Sequence, residues 1–131
     1  MFLTRECDYA VRIIRSLSSM EVMPVRIICE NEDIPLPFAY KILKKLEKAQ
    51  FVKAYRGATG GYQLRVEPAS INLLSIVSVM DKGLYINECL QEGFECKNHQ
   101  PGKQCKVHIE LERVQEMLTN ALKEKTMNDL V

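Results

Sequence analysis

The stretch Arg56-Gly57-Ala58-Thr59-Gly60-Gly61-Tyr62-Gln63-Leu64 places three glycines within five positions, with an arginine in front and an aromatic behind. Such a stretch is either a loop that cradles phosphate or the tip of a β-hairpin, and its flanks decide between them. Residues 51–55 before it read as a strand, with Val52 and Ala54 on one side. After it, Tyr62, Leu64 and Val66 alternate with Gln63 and Arg65, the two-residue period of a half-buried strand. No helix opens behind the glycines and no Lys-Ser/Thr pair follows, so the nucleotide-binding fingerprint is missing. The stretch reads as a hairpin whose glycines supply positive φ angles. Arg56, Gly57, Thr59 and Gly60 form its tip, suited to reach the backbone or minor groove of DNA.

Upstream, three helices are expected. Residues 4–19 carry Tyr9, Ala10, Ile13, Ile14 and Leu17 at helical spacing, with Thr4 as N-cap and Glu6 in the first turn. A short helix over about 25–31 follows Pro24 and buries Val25 and Ile28. "DIPLP" (33–37) is a turn, because a proline disfavours helix at the residue before it. A third helix, about 37–49, then buries Phe38, Ile42, Leu43 and Leu46 and exposes Lys41, Lys44, Lys45 and Lys48. Three helices and a two-stranded wing make a winged helix-turn-helix. In that arrangement Tyr40 and Lys41, near the start of the third helix, are placed to reach base edges. Lys44, Lys45 and Lys48 are placed to neutralise phosphates.

Charge is distributed to match. Residues 1–66 hold 11 Lys/Arg against 7 Asp/Glu, and residues 67–131 hold 7 against 10, within a net charge of only +1. A basic half beside an acidic half points to a polyanionic partner for the first half alone. No run of apolar residues is long enough for a membrane span. The opening "MFLTRECDYAV" puts charges where a secretory signal needs an apolar core, so a cytoplasmic protein is expected. The reading divides the chain into a DNA-binding domain, 1–66, and a second unit, 67–131.

That second unit holds a short buried helix within 71–81, a long glycine-containing loop over 83–104 and a last helix from about 105 to 124. Val107, Leu111, Val114, Leu118 and Leu122 recur along the last helix as a helix–helix seam. So small a chain has little core to set against it, so a second copy of the chain is the expected partner. The fold class is therefore mainly α with a small β-hairpin wing: a winged helix-turn-helix plus a long C-terminal dimerisation helix.

Five cysteines in a chain expected in a reducing compartment are core residues or ligands rather than disulfides. Cys7 and Cys29 fall inside apolar helical patterns and read as core. Cys89, Cys96 and Cys105 lie in the loop among Lys, Glu and Gln, with His108 three residues beyond the last. Soft thiolates select zinc, copper(I) or iron–sulfur clusters, and the Cys-x-x-Cys knuckle of structural zinc is absent. No Cys-His-acid set is paired by spacing, so an enzyme with a nucleophilic cysteine is not expected, nor is a small-molecule substrate.

Taken together, "LTRECDYAVRI", "IPLPFAYKILKKLEKAQFV", "YRGATGGYQL", the three loop cysteines and "TMNDLV" span nearly the whole chain. The combination resembles the iron–sulfur cluster regulators, the IscR/NsrR family of winged helix-turn-helix transcription factors. The resemblance implies a homodimer that binds operator DNA and carries a cluster held by Cys89, Cys96 and Cys105, 2Fe–2S ahead of 4Fe–4S. It leaves two fourth ligands open: His108, or Asp8 from the first helix of a partner subunit. The cysteine spacing is wider here than in the IscR branch. The expected function is a redox-, nitric oxide- or cluster-sensing repressor-type regulator, with a zinc-stabilised or thiol-redox regulator as the alternative.

Overall fold

A computed structural model describes residues 3–81 and 83–131. Helix α1 (Arg5–Ser16) starts where Thr4 accepts a hydrogen bond from the Cys7 backbone N–H, 3.3 Å away. It is the hub of the fold, and α2 (Val25–Glu32), α3 (Leu36–Lys48) and α4 (Leu73–Met80) all pack on it. The core seals Ala10, Ile13 and Ile14 of α1 and the capping Leu17 against Ile28, Ile42, Leu43 and Leu46. Cys7 is buried in this core, and Cys29 packs at its rim.

On α3 the buried residues are Ala39, Ile42, Leu43 and Leu46, spaced as one helix face. Phe38, expected inside, stands one position off that face and is 46% exposed, its ring edge against Tyr9 with centroids 6.1 Å apart. The turn between α2 and α3 is braced from α1. Arg15 forms a two-pronged ion pair with the buried Glu32 carboxylate, and Arg12 donates to the Glu32 carbonyl at 3.2 Å.

The wing is an antiparallel pair, β1 (Val52–Tyr55) and β2 (Gly61–Leu64), with Val52 opposite Leu64 and Tyr55 opposite Gly61. The Arg65 N–H donates to Phe51 O at 2.9 Å and extends the ladder by one step. Met23, just before α2, exchanges two backbone hydrogen bonds with Tyr62, 2.8 and 2.9 Å, and so adds a one-residue third strand that the sequence did not announce. The wing is thereby tied to the entrance of α2.

Beyond the wing the core continues without a break. Ile71, Ile76, Val77 and Met80 join the same cluster through α4. A last short helix, α6 (Met127–Leu130), also unannounced, docks Met127 into it, and the Met127 N–H donates to Ile71 O at 2.7 Å. Helix α5 (Lys106–Glu124) packs on α4 and on a short 3-10 turn at Glu88–Leu90, yet buries no residue fully. The predicted seam divides along it. Leu111, Leu118 and Leu122 are half-buried, while Val107 and Val114 are 67% and 38% exposed beside Met117 at 59%.

Candidate nucleic-acid interface and cysteine loop

The exposed side of α3, the first turn of α2 and the wing surround one open groove of about 780 Å³. Tyr40 and Glu47 line it from α3, Pro24, Val25 and Arg26 from α2, and Tyr55 to Gly57, Ala58 and Gly60 to Tyr62 from the wing. At 3.6 residues per turn, Tyr40 and Glu47 form the row of α3 that faces the wing. Lys44 and Lys48 form the outermost row, and Lys41 and Lys45 the row nearest α1.

The lysines therefore part company. Lys44 and Lys48 are exposed. Lys41 and Lys45 both pair with Glu6 of α1, Lys45 at 2.6 Å, and Lys45 also lies 3.5 Å from the Met80 carbonyl at the end of α4. These lysines hold the Glu6 carboxyl below its ordinary range.

At the wing, Gly57 has φ +99° and its carbonyl accepts from the Gly60 N–H at 3.0 Å, which closes the tip. Arg56, Gly57 and Thr59 are exposed there. Lys53 sits 5.1 Å over the Tyr55 ring, and the Tyr55 hydroxyl donates to Gln63 at 2.9 Å. Burial pushes the Tyr62 hydroxyl above its ordinary range. Arg26 was not singled out in the sequence, because α2 was read only for its apolar positions. Its place one residue into a helix whose start meets the wing was the available signal.

The cysteine loop is clasped to α5 at its base. Gln115 donates to Leu84 O at 2.5 Å and accepts from the Ile86 N–H at 2.9 Å. Cys89 lies in the 3-10 turn, Cys96 bridges to His99, and Cys105 is the residue before α5. Cys105 has extended backbone, so it stands at the cap and not on a helical face with His108. All three thiols are half-buried. The His99 and His108 rings stack with centroids 3.9 Å apart, and His99 Nδ1 accepts from the Cys105 N–H at 3.5 Å. His108 Nε2 lies 3.3 Å from Glu112, while its Nδ1 is buried with no hydrogen-bond partner. His99 was missed, although Cys96-x-x-His99 repeats the spacing of Cys105-x-x-His108. Asp8 is exposed and paired with Arg12 at 3.0 Å.

In kind, this donor set suits an iron–sulfur cluster: three thiols in one loop and an orphaned imidazole nitrogen. In position it is unassembled. Among the described residues, no three His, Cys, Asp or Glu side chains are grouped to hold a metal ion.

A three-helix core with a basic third helix and a glycine-tipped wing defines a winged-helix DNA-binding protein. The comparisons agree. The profile of Rrf2, "Iron-dependent Transcriptional regulator", matches residues 3–131, and the chain belongs to this family of DNA-binding transcriptional regulators. It is a regulator and not an enzyme. A Haemophilus influenzae chain named with the HTH-type transcriptional regulators is 30% identical over 134 residues, all of this chain and 87% of that one. The IscR regulator of Vibrio cholerae is 27% identical over all of this chain and 75% of its own length. Among solved structures, CymR, the global cysteine regulator of B. subtilis, superposes with a TM-score of 0.78 at 22% identity, covering 97% of this chain and 93% of that one. T. potens IscR gives 0.73 at 23% identity, covering 97% and 83%. At those identities the likeness establishes the fold.

Proposed function

We propose that the chain acts as a cytoplasmic homodimer that binds operator DNA through residues 1–66 and senses iron–sulfur status, redox stress or nitric oxide through residues 67–131. The observation that carries the DNA part is the convergence of α3, the start of α2 and the wing tip on one groove. Tyr40 is assigned to base edges, Lys44 and Lys48 to phosphates, and Arg56, Gly57, Thr59 and Gly60 to the wing contact. Lys41 and Lys45, expected from the sequence at base edges and phosphates, pair with Glu6 in this structure. In the sensing part, Cys89, Cys96 and Cys105 would hold a cluster, 2Fe–2S ahead of 4Fe–4S, with His108 or a partner subunit's first-helix carboxylate at Asp8 as the fourth ligand. The family's description as iron-dependent and the orphaned His108 Nδ1 support this. When bound, the group supplies one-electron redox chemistry and a reactive corner. The chain's own part is to present the thiols on a loop that Gln115 clasps to α5.

A second reading has its own support. The thiols are not grouped as a metal site among the described residues, which suits a regulator that works through thiol chemistry; a zinc-stabilised form, like a cluster, would need them brought together. Protein purified without oxygen decides between them. Visible absorption with matched iron and sulfide, lost in Cys96→Ala, is expected. Colourless, sulfide-free protein would leave the thiol or zinc reading standing. His108→Ala and Asp8→Ala, compared by the same spectrum, identify the fourth ligand. For DNA, Arg56→Ala and Lys44→Ala should each weaken binding to an operator duplex selected from random DNA. Lys44→Ala should also flatten the salt dependence by about 0.9 in log–log slope, one phosphate contact. Unchanged binding in both variants would remove the groove from the interface.

A further inference from the structure

We propose that Glu6 is a brake on DNA affinity: a carboxylate on α1 that holds the cations of the row Lys41–Lys45 and keeps them from neutralising phosphate. The proposal rests on the reading that α3 faces DNA, and adds a residue from outside the helix-turn-helix surface. Thr4 caps α1 and fixes its first turn, which carries Glu6 over the edge of α3. One carboxylate oxygen takes Lys41 and the other takes Lys45. Glu6 is only 26% exposed, whereas the Lys41 side chain is 57% exposed. The lysine therefore stands at the rim of the DNA-facing surface, tied to a carboxylate it shares with Lys45.

The two lysines differ in what they would do if released. Lys45 has a second partner in the Met80 carbonyl, at the negative end of α4, and remains held there. Lys41 has no other partner among the described residues. It lies one row over from Lys44 and Lys48 on the same helix. Since its carboxyl is held below the ordinary range, Glu6 is ionised throughout the neutral range and the brake is always on. Its effect falls on phosphate neutralisation, the term that dominates non-sequence-specific binding. A regulator gains from limiting that term, because its site competes with a genome of non-specific DNA.

The test is Glu6→Gln, near-isosteric and unable to hold two cations, titrated with a mixed-sequence duplex over a range of salt. The expected result is tighter binding with a log–log salt slope steeper by about 0.9, one added phosphate contact. Adding Lys41→Gln should return the slope to that of the wild type. Glu116→Gln, the same charge change on exposed α5, should leave the slope alone. Matching far-ultraviolet spectra and melting curves would show that all variants fold alike. An unchanged or flatter slope in Glu6→Gln overturns the brake, and weaker binding would make Glu6 a support for the lysines instead. The DNA-facing reading fails separately: loss of the Lys44→Ala and Arg56→Ala effects removes it whatever Glu6→Gln does.

Discussion

Gly61 shows how one residue fixes the wing. Its φ is +154°, and a Cβ there would stand 2.1 Å from the Met23 carbonyl oxygen. That carbonyl accepts from Tyr62, the bond that ties the wing to the start of α2. The neighbouring Gly60 is equally confined, with a Cβ 2.4 Å from Tyr55 O. Gly57 at the tip meets nothing, and its glycine serves only the left-handed turn. Gly61→Ala must therefore displace backbone and should destabilise the fold by about 2 kcal/mol or more in urea unfolding. It should also weaken DNA binding beyond that loss, because the wing shifts against α2. Wild-type stability in this variant would mean that Met23 and Tyr62 do not pair.

At the scale of elements, α5 is a long helix with no fully buried residue. Nineteen residues held along one side only are weakly anchored, since most helix stability in proteins comes from packing an apolar face. The flank beside that packed side still presents Val107, Val114 and Met117. A second copy of the chain would cover them. Met117→Asp and Val114→Asp are accommodated by the isolated chain, because both sites are exposed there. In a dimer they would bury unpaired charge at a cost of several kcal/mol. Sedimentation should show monomers with unchanged helix content for both variants. A variant that remains dimeric would put the interface elsewhere. Leu118, part of the predicted seam, is the poorer probe, since it is half-buried against its own chain and its replacement would confound folding with assembly.

Across the whole molecule, pH dependence follows from groups whose folded pKa departs from the ordinary value. Lys41 and Lys45 lower Glu6, Arg113 lowers Glu110, and the Thr126 N–H lowers Asp129. A carboxyl lowered by folding stabilises the fold above its unfolded pKa and ceases to do so as pH falls through the folded one. Burial raises the Cys7 and Cys29 thiols, and that contribution is lost as pH rises from the ordinary 9.0 through the raised values. Urea midpoints should fall as pH drops below about 4.5 and as it rises above about 9.0, the ordinary values of glutamate and cysteine. Glu6→Gln should remove part of the acid-side fall. An acid limb identical to that of the wild type would show that its lysine pairs do not contribute.

Local signals in the chain were enough for the class of fold. The alternation at Tyr62–Val66, the glycines before it and the apolar spacing of α1 and α3 are properties of near neighbours, set by steric and period rules that act over a few residues. Of the groove-lining residues, local signals pointed to Tyr40, Arg56, Gly57 and Gly60 but not to Arg26 or Glu47, and in the cysteine loop to the three thiols and His108 but not to His99. What required the tertiary structure were the long-range contacts: Met23 joining the wing, Met127 returning to Ile71, Phe38 left outside and α5 exposing Val107 and Val114 of its seam. The division of the α3 lysines was of that kind too. Periodicity puts Lys41, Lys44, Lys45 and Lys48 on one solvent face, but which of them meet a counter-charge depends on Glu6, 35 residues earlier in the chain from Lys41. Only the packing of α1 on α3 brings that carboxylate within reach.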